Sequence, residues 1–448
     1  MEHLAKVNVP LYLRNKRAAK DNRRKHRAWR AQQRSEKEEA AVNAEFGDQS
    51  KILLMMGDGC APASSLADVR KGRVRFVAPE VFSMMDNPGE TIAALADFAK
   101  KLSIPRVRSV RIDLNKVKVY DLAANALLDV LVDEVKVKAK QTHRKIHWRG
   151  SYPADNDQRR LVRSLGVIKF LEVSHEYTSQ EEAALVEAFH ARAKHYVRAV
   201  RANETDKKSR VTQRFADHIN KCLSHIRREL RPSARKKLCD YVGEILDNAE
   251  EHAGMFDWTI QGYLDTSTTD HICEIVVFNF GKTIADSLMA LPTDSYTRRK
   301  VEPYLDAHSH KGIFSTGWKI DDLLTLIALQ GSVSSKNLSD SDTRGNGTVD
   351  LIAFFQKVTN ECRTKPDSKT DARMTLVSGS TTILFDGTYE MRLEDGPGII
   401  AFNSENDLLV RPDPEYVKHL GSPFFPGTVL SIKFPLSPDS SISAVSGG

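Results

Sequence analysis

The sequence has few cysteines and no pattern among them. Its 448 residues contain five, at positions 60, 222, 239, 273 and 362, and no two form a CxxC pair. An odd, scattered set suits a reducing cytosol and argues against a zinc site or a disulfide framework. We therefore expect a cytoplasmic protein.

Long apolar stretches are also missing. No run approaches the length of about 20 residues that spans a bilayer, and no charged-then-apolar N-terminal segment suggests a secretory signal. The hydrophobic fraction of 41% and the charged fraction of 28% are ordinary for a globular protein. The chain is long enough for two or three domains with sizeable cores, and we expect no membrane span.

Acidic residues are almost absent from positions 14–34. This segment holds ten Lys or Arg against Asp21, a net charge of nine, so the remainder of the +7 chain sums to −2. Its apolar residues form no stripe, which predicts a partly helical or disordered arm over residues 1–50. Such an arm suits the phosphates of a nucleic acid, an acidic protein or an anionic membrane. A solubilising tail is the alternative.

From residue 70 to 175 short strands alternate with helices, which predicts an α/β layer. Residues 178–236 are polar with apolar residues at helical spacing, among them Leu185, Val186 and Phe189. They predict a helical connector over 176–204 and then the first helix of a second domain. Residues 437–448 predict a disordered tail. The predicted elements are strands at 74–78, 107–114, 145–149 and 167–172, and helices at 89–102, 121–137 and 155–165.

One helix places a carboxylate and a carboxamide a turn apart. Glu244 and Asn248 are four residues apart, and apolar Val242 and Ile245 mark another face. The amide oxygen can hold Mg²⁺, which prefers oxygen ligands and brings phosphates with it. The carboxylate can align a water for phosphoryl transfer. A solvated helix face is the alternative.

Three later segments bear on that helix. Residues 276–284 predict a strand running into a glycine turn, 343–351 a glycine loop opening a helix, and Phe425–Pro435 a strand with clean alternation. In this order the four segments resemble the GHKL ATPases, the family of gyrase, heat-shock chaperone, histidine kinase and MutL-type ATP sites. The helix resembles the N box, the next two segments the G1 and G2 boxes, and the last the closing strand. The resemblance covers residues 205–436.

The resemblance implies ATP and Mg²⁺ as cofactors. Glu244 would activate water and Asn248 would ligate Mg²⁺. Asn279 stands where the family has an adenine-binding Asp, Gly281 would let the backbone approach the base, and Thr283 replaces a second glycine. The other implied nucleotide contacts are Arg344, Gly345, Asn346, Gly347, Thr348 and Thr428.

The same resemblance implies an architecture for residues 205–436. This domain would be an α/β sandwich, a mixed sheet with helices on one face. The sixty or so residues between the G1 and G2 glycines would form an ATP lid, with glycines 312 and 317 as flexible points.

The block 70–175 resembles a STAS-like domain, the fold of anti-sigma-factor antagonists. The resemblance rests on 110–114 and on 117–124, where a strand leads into a helix. Phosphoregulated members carry a hydroxyl at that loop-to-helix corner, whereas residues 121–124 here are Asp-Leu-Ala-Ala. The corner therefore predicts a docking or nucleotide-sensing module and no phosphoswitch.

Together these features predict a cytoplasmic α/β regulator that binds Mg·ATP. The first hypothesis is a nucleotide-driven conformational switch with slow ATP hydrolysis, acting on a protein partner that the sequence does not identify. The second is an anti-sigma-type serine/threonine kinase. The third is a module that binds nucleic acid or an acidic partner through residues 14–34. Assembly as a homodimer is left open.

Overall fold

The chain folds as an α/β protein with parallel and antiparallel sheets, as predicted. No helix among the residues described combines the length and apolar character needed to cross a bilayer. The computed structural model describes residues 50–58, 71–104, 107–165, 186–193, 204–252, 258–266, 271–310, 314, 317–331, 333, 349, 351–353, 355–356, 359, 372–392, 398–436 and 441–443.

The elements are numbered in chain order. The helices are α1 Lys51–Asp58, α2 Pro88–Leu102, α3 Leu122–Gln141, α4 Asn156–Leu165, α5 Glu204–Ser224, α6 Pro232–His252, α7 Ile284–Met289, α8 Tyr296–His310 and α9 Ile320–Ile327. The strands are β1 Arg73–Val77, β2 Val81–Phe82, β3 Ser109–Asp113, β4 Val119–Tyr120, β5 His147–Ser151, β6 Val186–Ala193, β7 Arg228–Leu230, β8 Trp258–Asp265, β9 Ile272–Phe280, β10 Arg373–Gly379, β11 Thr381–Phe385, β12 Val417–His419, β13 Phe425–Pro435 and β14 Ser441–Ser443.

The N-terminal unit is built on a parallel sheet in the order β1-β3-β5. Along β1 the apolar Val74 and Phe76 are buried while their neighbours are exposed, so the strand has one core face and one outer face. The core face packs in one cluster with α2 and α3. Every strand and helix predicted between 74 and 165 is present, with ends shifted by up to about four residues. The strand predicted at 167–172 lies outside the described residues.

The second sheet has seven strands in the order β12-β11-β10-β13-β9-β8-β6. Each neighbouring pair in it is antiparallel. The prediction of a mixed sheet is therefore wrong. Direct hairpins join β8 to β9 and β10 to β11, and such tight connections force antiparallel pairing.

The helical connector predicted over 176–204 is also wrong where it is described. Val186–Ala193 is the edge strand β6, paired with β8 along its whole length. Phe189 and Ala191 are buried in the core shared with α5, while His190 between them is exposed. The spacing of Leu185, Val186 and Phe189 fits a helix locally, but pairing with β8 satisfies the backbone of this segment and decides its conformation.

Both faces of the seven-stranded sheet are covered. Along β9, Cys273, Ile275 and Val277 point into the core formed with helices α5 to α9. Val276 and Phe278 point the other way, into the core of the N-terminal unit, where α3 lies against β9. The described helices of residues 205–436 thus lie on one face of the sheet, as predicted, and the parallel-sheet unit covers the opposite face.

Ion pairs join the two units. Arg192 of β6 reaches Asp133 at 3.2 Å and Glu134 at 3.0 Å, both on α3. The Arg192 side chain is 7% exposed and Glu134 16%, whereas Asp133 is 51% exposed, so the Arg192–Glu134 pair is the buried one. Breaking that pair would leave the buried guanidinium with only the half-exposed Asp133, and this cost resists separation of the units.

The loop-to-helix corner at residues 121–124 is part of this contact. Asp121 caps α3 by accepting a hydrogen bond from the Ala124 amide at 2.7 Å, and Ser83 Oγ donates to the same carboxylate at 2.7 Å. The Leu122 amide donates to Glu274 Oε1 of β9 at 2.8 Å. The corner is buried against the second sheet, where the Leu122 amide has its partner, whereas the partners of the Asp121 side chain belong to the N-terminal unit.

One prediction near the chain end needs correction. Helix α5 ends at Ser224, and α6 begins at Pro232, where a missing backbone N–H costs nothing. Within the stretch 437–448 predicted as a disordered tail, β14 pairs with β7, which lies between α5 and α6.

Candidate functional site

Four strands of the seven-stranded sheet bring one residue each into a single row. Trp258 of β8 is the partner of Asn279 in β9, Asn279 is the partner of Thr428 in β13, and Thr428 is the partner of Ser378 in β10. Alternation along each strand places all four on the face covered by helices α5 to α9. Two of the predicted site residues, Asn279 and Thr428, are therefore direct neighbours.

Hydrogen bonds connect this row to the start of α7. Ser378 Oγ and Thr428 Oγ1 are 3.0 Å apart, and Ser378 Oγ also donates to the Gly427 carbonyl at 3.2 Å. The Ile284 amide donates to Ser378 Oγ at 2.9 Å. Asn279 is buried, with 2% of its surface exposed. Thr428 is partly exposed, so the row is a largely buried polar strip between the sheet and a helix start.

Two glycines set the backbone around the strip. Gly281 follows β9 with φ 138°, and its amide donates to the Pro426 carbonyl at 3.0 Å. Gly427 has φ 141°, and a Cβ at this position would lie 2.1 Å from the Asn279 carbonyl oxygen. Only glycine can adopt such backbone angles and allow so close an approach. The predicted glycine turn after β9 is confirmed.

Thr283 is the N-cap residue of helix α7. Its hydroxyl oxygen accepts a hydrogen bond from the Asp286 amide at 3.0 Å, and Asp286 returns a bond to the Thr283 amide at 3.1 Å. This reciprocal arrangement is a capping box that begins α7. Thr283 is therefore used here to start a helix, and a nucleotide contact by Thr283 stays a prediction.

The helix carrying Glu244 and Asn248 covers the same face of the sheet. α6 packs on β8 and β9 and buries Val242, Ile245 and Leu246. The side chains of Glu244 and Asn248 lie outside the described residues. The C-terminal end of α6 is joined through 253–257 to the first residue of β8, which is the partner of Asn279. Asn248, one turn before that end, thus belongs to the part of the helix that leads to the polar strip.

The remaining predicted contacts are not described. Residues 344–348, which hold Arg344, Gly345, Asn346, Gly347 and Thr348, lie outside the described residues. Residue 349 and residues 351–353 are helical, as predicted for the segment after the loop. Val349, Leu351 and Ile352 are buried in the core on the helix side of the sheet. The loop therefore leads into an element of the same core as the polar strip.

The segment predicted as an ATP lid is largely a packed structure. α7, α8 and α9 lie between 284 and 327. Val301, Leu305, Leu323 and Leu324 from these helices are buried in the main core. A lid must leave the site at low cost, and so many buried apolar side chains prevent that. The lid prediction is wrong for 284–327. Gly312 lies outside the described residues.

Sequence reasoning missed Trp258 and Ser378 as members of the strip. Neither stands in a local motif, and only strand register brings them beside Asn279 and Thr428. Among the residues described, no group of three or more His, Cys, Asp or Glu is placed to hold a metal ion. A cation at this site would rely on few protein ligands.

Comparisons with known proteins add no further constraint. No family model, no curated protein and no solved structure matched this chain. Any proposal about function therefore rests on the residues and their geometry.

Proposed function

We propose that this protein binds Mg·ATP on the helix-covered face of its seven-stranded sheet and acts as a nucleotide-driven conformational switch. The observation that carries the proposal is the cross-strand pairing of Asn279 with Thr428, next to the start of α7. These residues came from two sequence segments some 150 positions apart. Their meeting in one largely buried strip is what an adenine site of the GHKL type requires.

The adenine end of the site follows from hydrogen-bond chemistry. The Asn279 side-chain oxygen can accept a bond from the adenine amino group, as a carboxylate does in the family, but without charge assistance. The Thr428 hydroxyl, beside Ser378 Oγ, can donate to or accept from the base or a bridging water. Gly281 has a φ of 138° and no side chain, so the backbone there would be able to approach the ring edge.

The phosphate end would be held from α6 and from the loop 344–348. The Asn248 oxygen would take one Mg²⁺ position and the nucleotide phosphates others, because Mg²⁺ keeps waters and phosphates and needs few protein ligands. Glycines 345 and 347 precede a helical segment, whose free amides favour phosphate. Glu244 would orient the attacking water.

The switch would act through β9. This strand carries Asn279 toward the helices and Glu274 toward α3 of the N-terminal unit. Binding at one face that shifts β9 changes the contact at the other face, and the N-terminal unit would respond.

Calorimetry on the full chain tests binding. Mg·ATP should bind, and Asn248→Ala and Asn279→Ala should each weaken binding by about tenfold or more. Asn279→Asp should bind at least as tightly as the parent, because it restores a charge-assisted acceptor. Asn115→Ala, an exposed Asn on the N-terminal unit, is the matched control and should bind as the parent does. Absence of heat at millimolar nucleotide with folded protein would disprove the proposal.

Turnover assays separate binding from chemistry. Glu244→Ala should keep Mg·ATP binding and lose hydrolysis, since a water-orienting carboxylate acts on the reaction step more than on the ground state. Release of phosphate by the isolated protein supports the switch. Labelled phosphate on a partner chain would instead support the kinase hypothesis. Equal turnover by variant and parent would remove Glu244 from this role.

A further inference from the structure

Three arginines stand side by side on the outer face of the parallel sheet. Arg75 of β1 is the partner of Arg111 in β3, and Arg111 is the partner of Arg149 in β5. All three are exposed, while their strand neighbours Phe76 and Ile112 are buried on the opposite face. Adjacent strands are about 4.8 Å apart, so the row spans about 10 Å across the sheet. We call Arg75, Arg111 and Arg149 the arginine row.

Little negative charge balances the row. Asp113 is the acidic residue of this face among the strands β1, β3 and β5. It pairs with Arg75 and accepts a bond from Ser151 Oγ at 2.7 Å. The bond from Ser151 and the pairing with Arg75 lower the pKa of Asp113 to about 2. The carboxylate is therefore ionised at neutral pH, and Arg75 already neutralises its charge. Arg111 and Arg149 face each other across neighbouring strands without such a partner on these strands.

Like charges directly opposite one another destabilise a sheet. Any uncharged strand-forming residue would serve the fold better at the middle position, 111. The cost suggests that the row is retained for a ligand and not for folding.

More positive charge surrounds the row. Arg73 is exposed on the same face one pleat away, and Lys71, Arg108 and Lys145 are exposed at the edge where the three strands begin. Residues 71–165 contain nineteen Lys or Arg and eleven Asp or Glu, a net charge of +8. With +9 on the segment 14–34 and +7 overall, the rest of the chain carries −10. The excess of positive charge therefore lies on residues 71–165 as well as on the segment 14–34.

We propose that the arginine row binds the phosphodiester backbone of a nucleic acid. Guanidinium groups form paired hydrogen bonds with phosphate oxygens in a fixed fork, which suits a regular line of phosphates better than scattered carboxylates. The aromatic side chain of these strands that lies nearby, Trp148, packs on the core face. On the described strands the outer face thus presents no Phe, Tyr or Trp for stacking, with His147 its one ring, and binding is independent of base sequence. This inference does not depend on ATP binding.

Fluorescence anisotropy on the full-length protein tests the proposal. The probes are a labelled oligothymidylate and a labelled duplex of mixed sequence, titrated between about 50 and 200 mM salt. The variant is Arg111→Glu with Arg149→Glu. The matched control is Arg231→Glu with Arg299→Glu, two exposed arginines of the other unit, which changes net charge by the same amount. Thermal unfolding checks that each variant is folded.

The row variant should weaken binding by about tenfold or more and lower the slope of log affinity against log salt by about two. The control should change affinity by less than about twofold, because its charges lie away from the contact. Equal losses in variant and control would overturn the proposal, as would an unchanged row variant, which would leave binding to residues 14–34 alone. Displacement of the probe by polyglutamate or anionic vesicles at equal charge concentration would overturn the assignment to nucleic acid.

Discussion

The two main sheets of this protein differ in how many of their faces are buried. The three-stranded parallel sheet buries one face and leaves the other to water, so β1 alternates strictly between exposed and buried residues. The seven-stranded antiparallel sheet is covered on both faces, and every residue of β8 from Trp258 to Leu264 is buried. Parallel sheets are usually the covered ones and antiparallel sheets the half-exposed ones. Here the usual assignment is reversed.

The reversal decides which residues carry functional information. On an open face an exposed charge is ordinary, and only its arrangement in register, as in the arginine row, says something new. In a sheet covered on both sides, a polar side chain is buried at a cost, and Thr375, Thr382 and Ser431 are buried here with hydroxyl oxygens that have no partner. Asn279 and Glu274, buried on opposite faces of β9, are the largest polar side chains of that strand and the ones whose substitution tests the two faces separately.

The largest effect should come from the covered sheet at Gly427. Gly427→Ala places a Cβ 2.1 Å from the Asn279 carbonyl oxygen at a φ of 141°. Strand β13 must then move away from β9, and the free energy of unfolding should fall by at least about 3 kcal/mol. Gly421→Ala is the control, because its φ is 75° but nothing lies within 4 Å of its Cβ. It should cost about 1 kcal/mol. Similar losses in denaturant unfolding would contradict the close approach.

The next effect is a pH dependence that originates where the two units meet. Burial, with Asp121 nearby, raises the pKa of Glu274 from its ordinary 4.5 to about 7. Lys433 and the Tyr263 hydroxyl, which donates to Glu274 at 2.7 Å, oppose the rise. The folded protein therefore holds this proton more tightly than the unfolded chain. Stability from Glu274 is full below about pH 4.5 and is lost as pH rises to about 7, by about 3 kcal/mol.

Glu274→Gln removes that titration. The variant should match the parent near pH 5 and exceed it in free energy of unfolding by up to about 3 kcal/mol near pH 8. Glu80→Gln is the control, because Glu80 is exposed and the bond from Lys118 lowers its pKa. It should leave the pH profile almost unchanged. A parent and a Glu274→Gln variant with parallel profiles would show that the carboxyl is not buried between the units.

The smallest effect should come from the open sheet. Arg111→Thr removes the middle charge of the arginine row and places a good strand former there, so it should stabilise the protein by about 0.5 kcal/mol at low salt. The gain should shrink at high salt, where exposed charges are screened. Arg111→Lys keeps the charge and should give no such gain. Destabilisation by Arg111→Thr would mean that the row supports the fold.

Sequence reasoning succeeded where a local pattern suffices. The helix around Val242 and Ile245, the strand before Gly281 and the strand Phe425–Pro435 are all present, the last with its predicted ends. Each has a period of its own or a glycine at its end. The N-terminal α/β alternation was equally visible, because its strands and helices differ clearly in period.

It failed where the fold depends on distant partners. β6 carries Phe189 and Ala191 on one side and Arg192 on the other. The local spacing of its apolar residues predicts a helix, and only the pairing with β8 makes the segment a strand. The strands β10 to β12 were not assigned at all. Ser378 joined the candidate site through register alone. Strand β8 is buried on both faces from Trp258 to Leu264, so it shows no alternation of exposed and buried residues that a pattern could reveal.

The position of β13 has a consequence for how the protein is made. It is the last long strand in the chain, yet it lies in the middle of the seven-stranded sheet, between β10 and β9. Until it is synthesised, β6-β8-β9 and β10-β11-β12 are two half-sheets, each with a bare edge open to pairing with other chains. Joining them closes contacts of very long sequence separation, which slows folding and prolongs that exposure. A nascent or C-terminally truncated chain therefore lacks the pairing of Asn279 with Thr428 and is at its most prone to aggregate.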